Sequence, residues 1–147
     1  MDKKAFTLTE LLISIAVLSV IVALSVPFSI SQVPSEKANK VANDIKLQIE
    51  LSEEYAQGRK LDKAYGVTFS ASKFSVFNAP SCAGVKTSFD VPLESGIGLT
   101  NTLTNSEVCF ELGTYLPNNT GSITVSGQGS SYRVDINSEG AVNVIKL

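Results

Sequence analysis

The sequence predicts an α+β protein, with a long N-terminal helix packed on a C-terminal head built from an antiparallel β-sheet. Three observations predict it. Phe6 to Ile30 is apolar apart from scattered hydroxyls and Glu10, the only charged residue between Ala5 and Glu36. A three- and four-residue apolar periodicity then runs from Ala38 to Ala56. From Arg59 onward the chain changes to short runs of Val, Phe, Tyr, Ser and Thr, and holds all the glycines but Gly58. Composition narrows the function. The 147 residues include no His and no Trp, two Cys, and a formal charge of −2. Without imidazole there is no Ser-His-Asp or Cys-His catalysis and no usual four-ligand structural zinc site. We expect neither enzyme activity nor a metal or cofactor. An acidic chain also lacks the excess of Lys and Arg that neutralises phosphates, so no nucleic-acid partner is expected.

The first element is the apolar run. Residues 6–30 would extend roughly 37 Å as a helix, more than the ~30 Å hydrocarbon core of a bilayer, so the run is long enough to span. Ser14, Ser19 and Ser25 are tolerable there because each hydroxyl can bond a carbonyl one turn back. Lys3 and Lys4 precede the run, which leaves a short N-terminus cytoplasmic and exports the remainder. Glu10 costs on the order of 2–3 kcal/mol as a carboxylate inside a membrane helix. At headgroup depth it is instead stabilised by the positive helix N-terminus, by about 0.3–1 kcal/mol.

The residues around it carry a resemblance. Lys4-Ala5 followed by Phe6-Thr7-Leu8-Thr9-Glu10-Leu11-Leu12 resembles the processing motif of type IV pilins and type II secretion pseudopilins. The resemblance implies a leader of residues 1–5, cut between Ala5 and Phe6 by a prepilin peptidase that also methylates the new Phe6 amine. It implies that Glu10, fifth after the cut, meets the N-terminal amine of a neighbouring subunit. Pro27 falls at position 22 after the cut, where the family often carries a helix-loosening proline. Ala5 stands where the family usually has Gly and is likewise small. The implied partners are other pilin or pseudopilin subunits, the peptidase/methyltransferase and an inner-membrane assembly platform. The implied location is the bacterial inner membrane, with the head periplasmic or extracellular and the filament in the periplasm or at the cell surface. The physics agrees: a carboxylate and an ammonium are each costly alone in an apolar core and tolerable together, and such a pair sets register. A second reading is an ordinary signal peptide, with Lys3-Lys4 as its basic start and cleavage at Ala23-Leu24-Ser25, releasing a secreted binding domain.

Beyond the run, Pro27 and Pro34 are expected to kink the helix, with an irregular joint over Ser31 to Pro34. Residues 31–58 then read as an amphipathic helix. Ala38, Val41, Ala42, Ile45, Ile49, Ser52 and Ala56 form its buried face, and Gly58 is placed to cap its C-terminus. Leu47 and Leu51 form a second stripe open to a neighbouring subunit. Residues 59–147 read as the head. Gly66 to Ser70 pairs with Lys73 to Phe77 around Ala71-Ser72. Val108 to Leu112, Ser122 to Ser126, Tyr132 to Asn137 and Ala141 to Ile145 read as further strands. The last two are joined through Asn137-Ser138-Glu139-Gly140, where Gly140 supplies a left-handed turn residue. The run from Glu107 to Gly113, with the strands after it, resembles the GspH/FimT-type minor pseudopilins, which implies the pilin fold.

Cys82 and Cys109 both lie in the exported part, where oxidation would join them and contribute on the order of 3 kcal/mol. Two buried free thiols are the alternative. The head acids Asp90, Glu94, Glu107, Glu111, Asp135 and Glu139 lack calcium-loop spacing and read as solvated carboxylates. Asn118-Asn119-Thr120 reads as a loop.

Overall fold

The computed structural model describes the backbone of residues 8–30 and 33–147, and the side chains of residues 8–22 and 36–147. The chain divides into two compact units, Met1–Val33 and Pro34–Leu147.

The first unit contains helix α1, Leu8–Ile30. Ser14 Oγ donates to Glu10 O at 2.8 Å and Ser19 Oγ to Ile15 O at 2.7 Å, so both hydroxyls are satisfied within the helix. Its large apolar side chains from Leu8 to Val22 are all more than half exposed, on every face. A helix that is apolar all round needs lipid or other helices around it. Among the described residues no helix is long and apolar enough to cross a membrane. The run expected to do so begins at Phe6, outside the described residues, and its side chains are described only as far as Val22. The backbone is helical through Pro27.

The second unit takes in all but the first residue of α2, Val33–Gln57. Pro34 sits in its first turn, where a missing N–H removes no intrahelical bond. Residues 31 and 32 of the expected joint lie outside the described residues. Ala38, Ala42, Ile45, Ile49 and Ala56 are fully buried, and Ser52 is buried with its hydroxyl donated to Gln48 O at 2.7 Å. Leu47 is half-exposed on the outer side.

Eight strands follow: β1 Ala64–Ser70, β2 Lys73–Ala79, β3 Thr87–Pro92, β4 Gly98–Asn101, β5 Glu107–Phe110, β6 Gly121–Gly127, β7 Ser130–Ile136 and β8 Val142–Lys146. They form two antiparallel sheets, ordered β3-β2-β1-β5 and β4-β6-β7-β8. One core joins α2 to both: Val67 and Phe69 of β1, Val108 and Phe110 of β5, Ile123 and Val125 of β6, and Val134 and Ile136 of β7 are buried with the α2 face. The other side of the first sheet has a smaller cluster of Ala64, Phe77, Ala79 and Cys109.

The β1–β2 hairpin turns at Ala71-Ser72 with Ser70 opposite Lys73, as its pattern predicts. The β7–β8 turn also follows expectation. Gly140 has φ +85°, and Asn137 Oδ1 accepts from the backbone N–H groups of Glu139 and Ala141 at 3.0 and 2.9 Å. Three features differ from the sequence reading. The single sheet expected is two, because alternation marks a buried face and not the sheet to which a strand belongs. Strands β3 and β4 were not expected: β3 carries Asp90 and Pro92 on an exposed edge, and β4 is only four residues long. The left-handed turn after α2 falls on Arg59 (φ 52°) rather than Gly58, with Arg59 N donating to Ala56 O at 3.2 Å.

A disulfide joins Cys82, in the loop after β2, to Cys109 on β5, with a sequence separation of 27 residues. The same loop is tied by an ion pair from Lys86 to the buried Glu107 and by Cys82 N donating to Glu111 Oε1 at 2.9 Å. We expect Cys82→Ala/Cys109→Ala to lower head stability by about 3 kcal/mol, the loop-closure entropy of that interval. Urea unfolding of oxidised and double-variant protein checks this. A midpoint left unchanged would mean that the polar ties alone set the loop.

Candidate functional site

Of the residues to which the sequence reading assigns processing and assembly, the structure describes Glu10, at the start of α1. Glu10 is in the first turn of that helix and is exposed. The helix N-terminus presents backbone N–H groups and partial positive charge on the same turn as this acid. Leu8, Leu11, Leu12 and Ile13 surround it on the helix surface and are exposed as well. The arrangement is a single acid near one end of a helix whose described large apolar side chains are all exposed. Ala5 and Phe6, between which the cut is expected, lie outside the described residues, as do Lys3 and Lys4. So does the side chain of Pro27, and the same holds for Pro34.

The head's acids and bases form structural pairs. Asp90 accepts from Lys73 Nζ at 2.5 Å and Ser75 Oγ at 2.6 Å, and these bonds hold its carboxyl below the usual carboxylate range. Glu94 is lowered in the same way by Lys37, whose Nζ lies 2.6 Å away. Arg133 pairs with Asp135 at 2.9 Å. Asn118 and Asn119 hold the segment after β5: Asn118 Oδ1 accepts from Cys109 N at 2.7 Å, and Asn119 Nδ2 donates to Thr104 O and Glu107 O, both at 3.1 Å. Among the described residues no cluster of His, Cys, Asp and Glu is arranged to hold a metal ion.

One carboxyl departs the other way. Partial burial and the charge of Glu50 push Glu53 above the usual carboxylate range. An acid whose folded-state pKa is raised destabilises the fold once it ionises, and the penalty vanishes as pH falls below both pKa values. Glu53→Gln should therefore raise head stability at pH 7, with the gain disappearing near pH 4. Thermal unfolding of both proteins across that range checks it, and a gain that grew with acidity would contradict it.

A second feature was invisible in the sequence. Arg59, Leu61 and Asp62 all have φ between 50° and 55°, so three non-glycine residues within four are left-handed. Such residues cost of order 1 kcal/mol or more each and persist where their surroundings fix them. Here Tyr65 OH donates to Lys60 O at 3.1 Å, and Lys60 Nζ lies 3.5 Å above the Tyr55 ring. Lys63 Nζ donates to Asn78 Oδ1 at 3.0 Å. Nothing in the linear pattern of residues 59–63 marks this strain, since the contacts that hold it come from α2, β1 and β2.

Comparison with known proteins bears on both units. Residues 1–26 match the prokaryotic N-terminal methylation motif. Curated protein sequences give no match. Among solved structures, the chain resembles the minor pseudopilin EpsH from the type II secretion system of Vibrio cholerae in two determinations. One has a TM-score of 0.58 at 13% identity, covering 75% of this chain and 97% of that one. The other has a TM-score of 0.60 at 12% identity, covering 75% and 94%. At this identity the likeness is one of fold. The chain thus combines an N-terminal methylation motif with the α+β fold of a minor pseudopilin head.

Proposed function

We propose that this chain is a minor pilin or pseudopilin, a structural subunit of a type IV pilus-like filament of the kind found in type II secretion, type IV pilus and competence systems. The observation that carries the proposal is a coincidence in one chain. Residues 1–26 match an N-terminal methylation motif, Glu10 stands fifth after the expected cut between Ala5 and Phe6 on a helix with apolar exposure all round, and the head has the fold of a minor pseudopilin.

In this reading the precursor is held in the bacterial inner membrane by residues 6–30, with Lys3 and Lys4 cytoplasmic and the head on the far side. A prepilin peptidase cuts between Ala5 and Phe6 and the Phe6 amine is methylated. The chain is a substrate of that enzyme and performs no catalysis. On the assembly platform α1 exchanges lipid for the α1 helices of other subunits, so its apolar surface stays covered throughout. Glu10 then meets the Phe6 ammonium of a neighbour, and the pair fixes the axial position at which a subunit joins.

The signal-peptide reading needs an accessible cleavage site at Ala23-Leu24-Ser25. The backbone there is helical and α1 continues to Ile30, which weighs against it. Mass spectrometry of the N-terminus of protein purified from membranes separates the readings. We expect N-methylated Phe6. A chain beginning at Met1 would contradict processing, and one beginning at Val26 would establish simple secretion.

A further inference from the structure

α2 covers only part of the first sheet. On the β3 side a groove of about 390 Å³ opens between Gln48 and Tyr55 of α2 and Val76, Phe89 and Val91 of β2 and β3. Phe89 stands opposite Val76 and alternates with Val91, so it lies on the sheet face against which α2 packs. It is nevertheless 72% exposed. On α2, Leu47 and Leu51 precede Tyr55 at four-residue intervals, with Leu47 exposed and the other two partly so. This row extends the apolar surface for about 12 Å along the helix.

Charge is uneven along this flank. At the Tyr55 end, Lys60 Nζ lies 3.5 Å above the Tyr55 ring and Lys63 Nζ donates to Asn78 Oδ1 at 3.0 Å; Tyr55 and Asn78 both line the groove. Among the described residues neither lysine is ion-paired, and Asp62 between them in sequence pairs with neither. Tyr65 OH, bonded to Lys60 O, holds the left-handed turn from which Lys60 projects. Arg59 reaches elsewhere: its Nε lies 3.9 Å from the place of a Gly113 Cβ, beyond β5 at the opposite edge of the sheet. Glu54 is exposed and about 100° around the helix from Tyr55, on the solvent side. Asp90 points to the other face of β3, bonded to Lys73 and Ser75. Toward the start of α2 a smaller hollow is lined by Lys37, Lys40, Asp44 and Glu94, two charges of each sign. The flank is therefore balanced at one end and cationic at the other.

We infer that this groove is the docking site for an amphipathic helix of a different protein. That helix lies beside α2, its apolar side on Phe89, Val76 and Leu51, with acidic residues at the end that reaches Lys60 and Lys63. A further strand is a poor occupant, because Asp90 and Pro92 stand on the edge of β3. The open surface is the face of β3, where a helix beside α2 continues the helical layer already there. An apolar row at helical spacing on one side and a sheet face on the other seat the i, i+3, i+7 side of such a helix. The two lysines select an acidic partner and set the direction in which it runs. The inference rests on reading this chain as a minor subunit, which stands among proteins unlike itself, and adds the surface that holds one of them.

The test uses the full chain in cells that produce it, with Phe89 replaced by the photo-crosslinker p-benzoylphenylalanine. Illumination should give an adduct with a protein other than this chain. Peptide mapping should place the attachment in a segment with apolar residues three and four apart and Asp or Glu within one turn of them. Lys60→Glu/Lys63→Glu in the labelled chain should cut the adduct by about tenfold, whereas Lys40→Glu, in the balanced hollow, should change it by less than about twofold. Reversing the mapped acids of the partner to Lys should restore the adduct with the Lys60→Glu/Lys63→Glu chain, which also shows that this variant folds. No adduct, an adduct between two copies of this chain, attachment to a segment without acids, or a yield indifferent to the two lysines overturns the docking site. The Phe6 terminus is read on the same preparation. Methylated Phe6 without the adduct removes the docking site alone, whereas an unmethylated start removes the filament role.

Discussion

Gly66→Val should unfold the head, costing more than about 4 kcal/mol, a size reserved for severe overpacking or loss of a central element. Gly66 lies on β1, between β2 and β5, opposite Phe77 on one side and Cys109 on the other. A Cβ there would stand 2.3 Å from Val108 O, 2.6 Å from Phe77 Cζ and 2.9 Å from Cys109 Cα. Two of those three atoms are backbone of an adjacent strand, so no rotamer change clears them. The third belongs to a ring that is itself buried and has Lys86 Nζ 4.8 Å from its centroid. A strand glycine at a close approach of another backbone is a packing requirement rather than a flexible point. Gly129→Ala is the matched control. Gly129 also lacks a side chain in a hairpin, at φ +89°, but has nothing within 4 Å of its would-be Cβ. Its cost should be only about 1 kcal/mol, that of a left-handed alanine. Urea midpoints of the two variants against the parent decide the matter. Equal losses would mean that the close approach at Gly66 relaxes freely.

Gly66 also shows what could be read from the sequence and what could not. Strands β1, β2, β5, β6, β7 and β8 are legible as short runs rich in Val, Ile, Phe and Tyr, and Asn137 to Gly140 marks the turn between the last two. The α2 face is legible because Ala38, Ala42, Ile45 and Ile49 repeat at helical spacing. These are local signals. The partition into two sheets, the place of β3 at an edge, the crowding at Gly66 and the strain at residues 59–62 all depend on contacts between distant segments. The candidate site divides the same way. Glu10 stands out in a linear scan because its neighbours are uniformly apolar, so a single charge is an anomaly wherever the chain folds. The groove beside Tyr55 and Phe89 carries no such mark, since residues 48, 55, 76, 89 and 91 become neighbours only when α2 is laid across β2 and β3.

Glu10→Leu should abolish entry into the filament while leaving the protein in the membrane. In the proposed assembly, replacing the carboxylate leaves a neighbour's Phe6 ammonium in an apolar core without its counter-charge. Removing one partner of a buried ion pair costs about 3–5 kcal/mol. At 1.4 kcal/mol per decade this is a loss of more than about a hundredfold in the equilibrium for joining. Insertion moves the opposite way: a leucine at this depth is favourable by a few tenths of a kcal/mol, whereas an acid costs about 2–3. The variant should accumulate at wild-type level or above in the membrane and vanish from sheared filaments, with both fractions measured by immunoblot against the head. Glu10→Gln keeps the shape and removes only the charge, so it should fail nearly as badly if the pair acts through electrostatics. If Glu10→Leu fails and Glu10→Gln assembles, the residue acts through hydrogen bonding or fit. Should both assemble normally, the acid is a headgroup-depth residue stabilised by its own helix end, and the register of the filament is set by the heads.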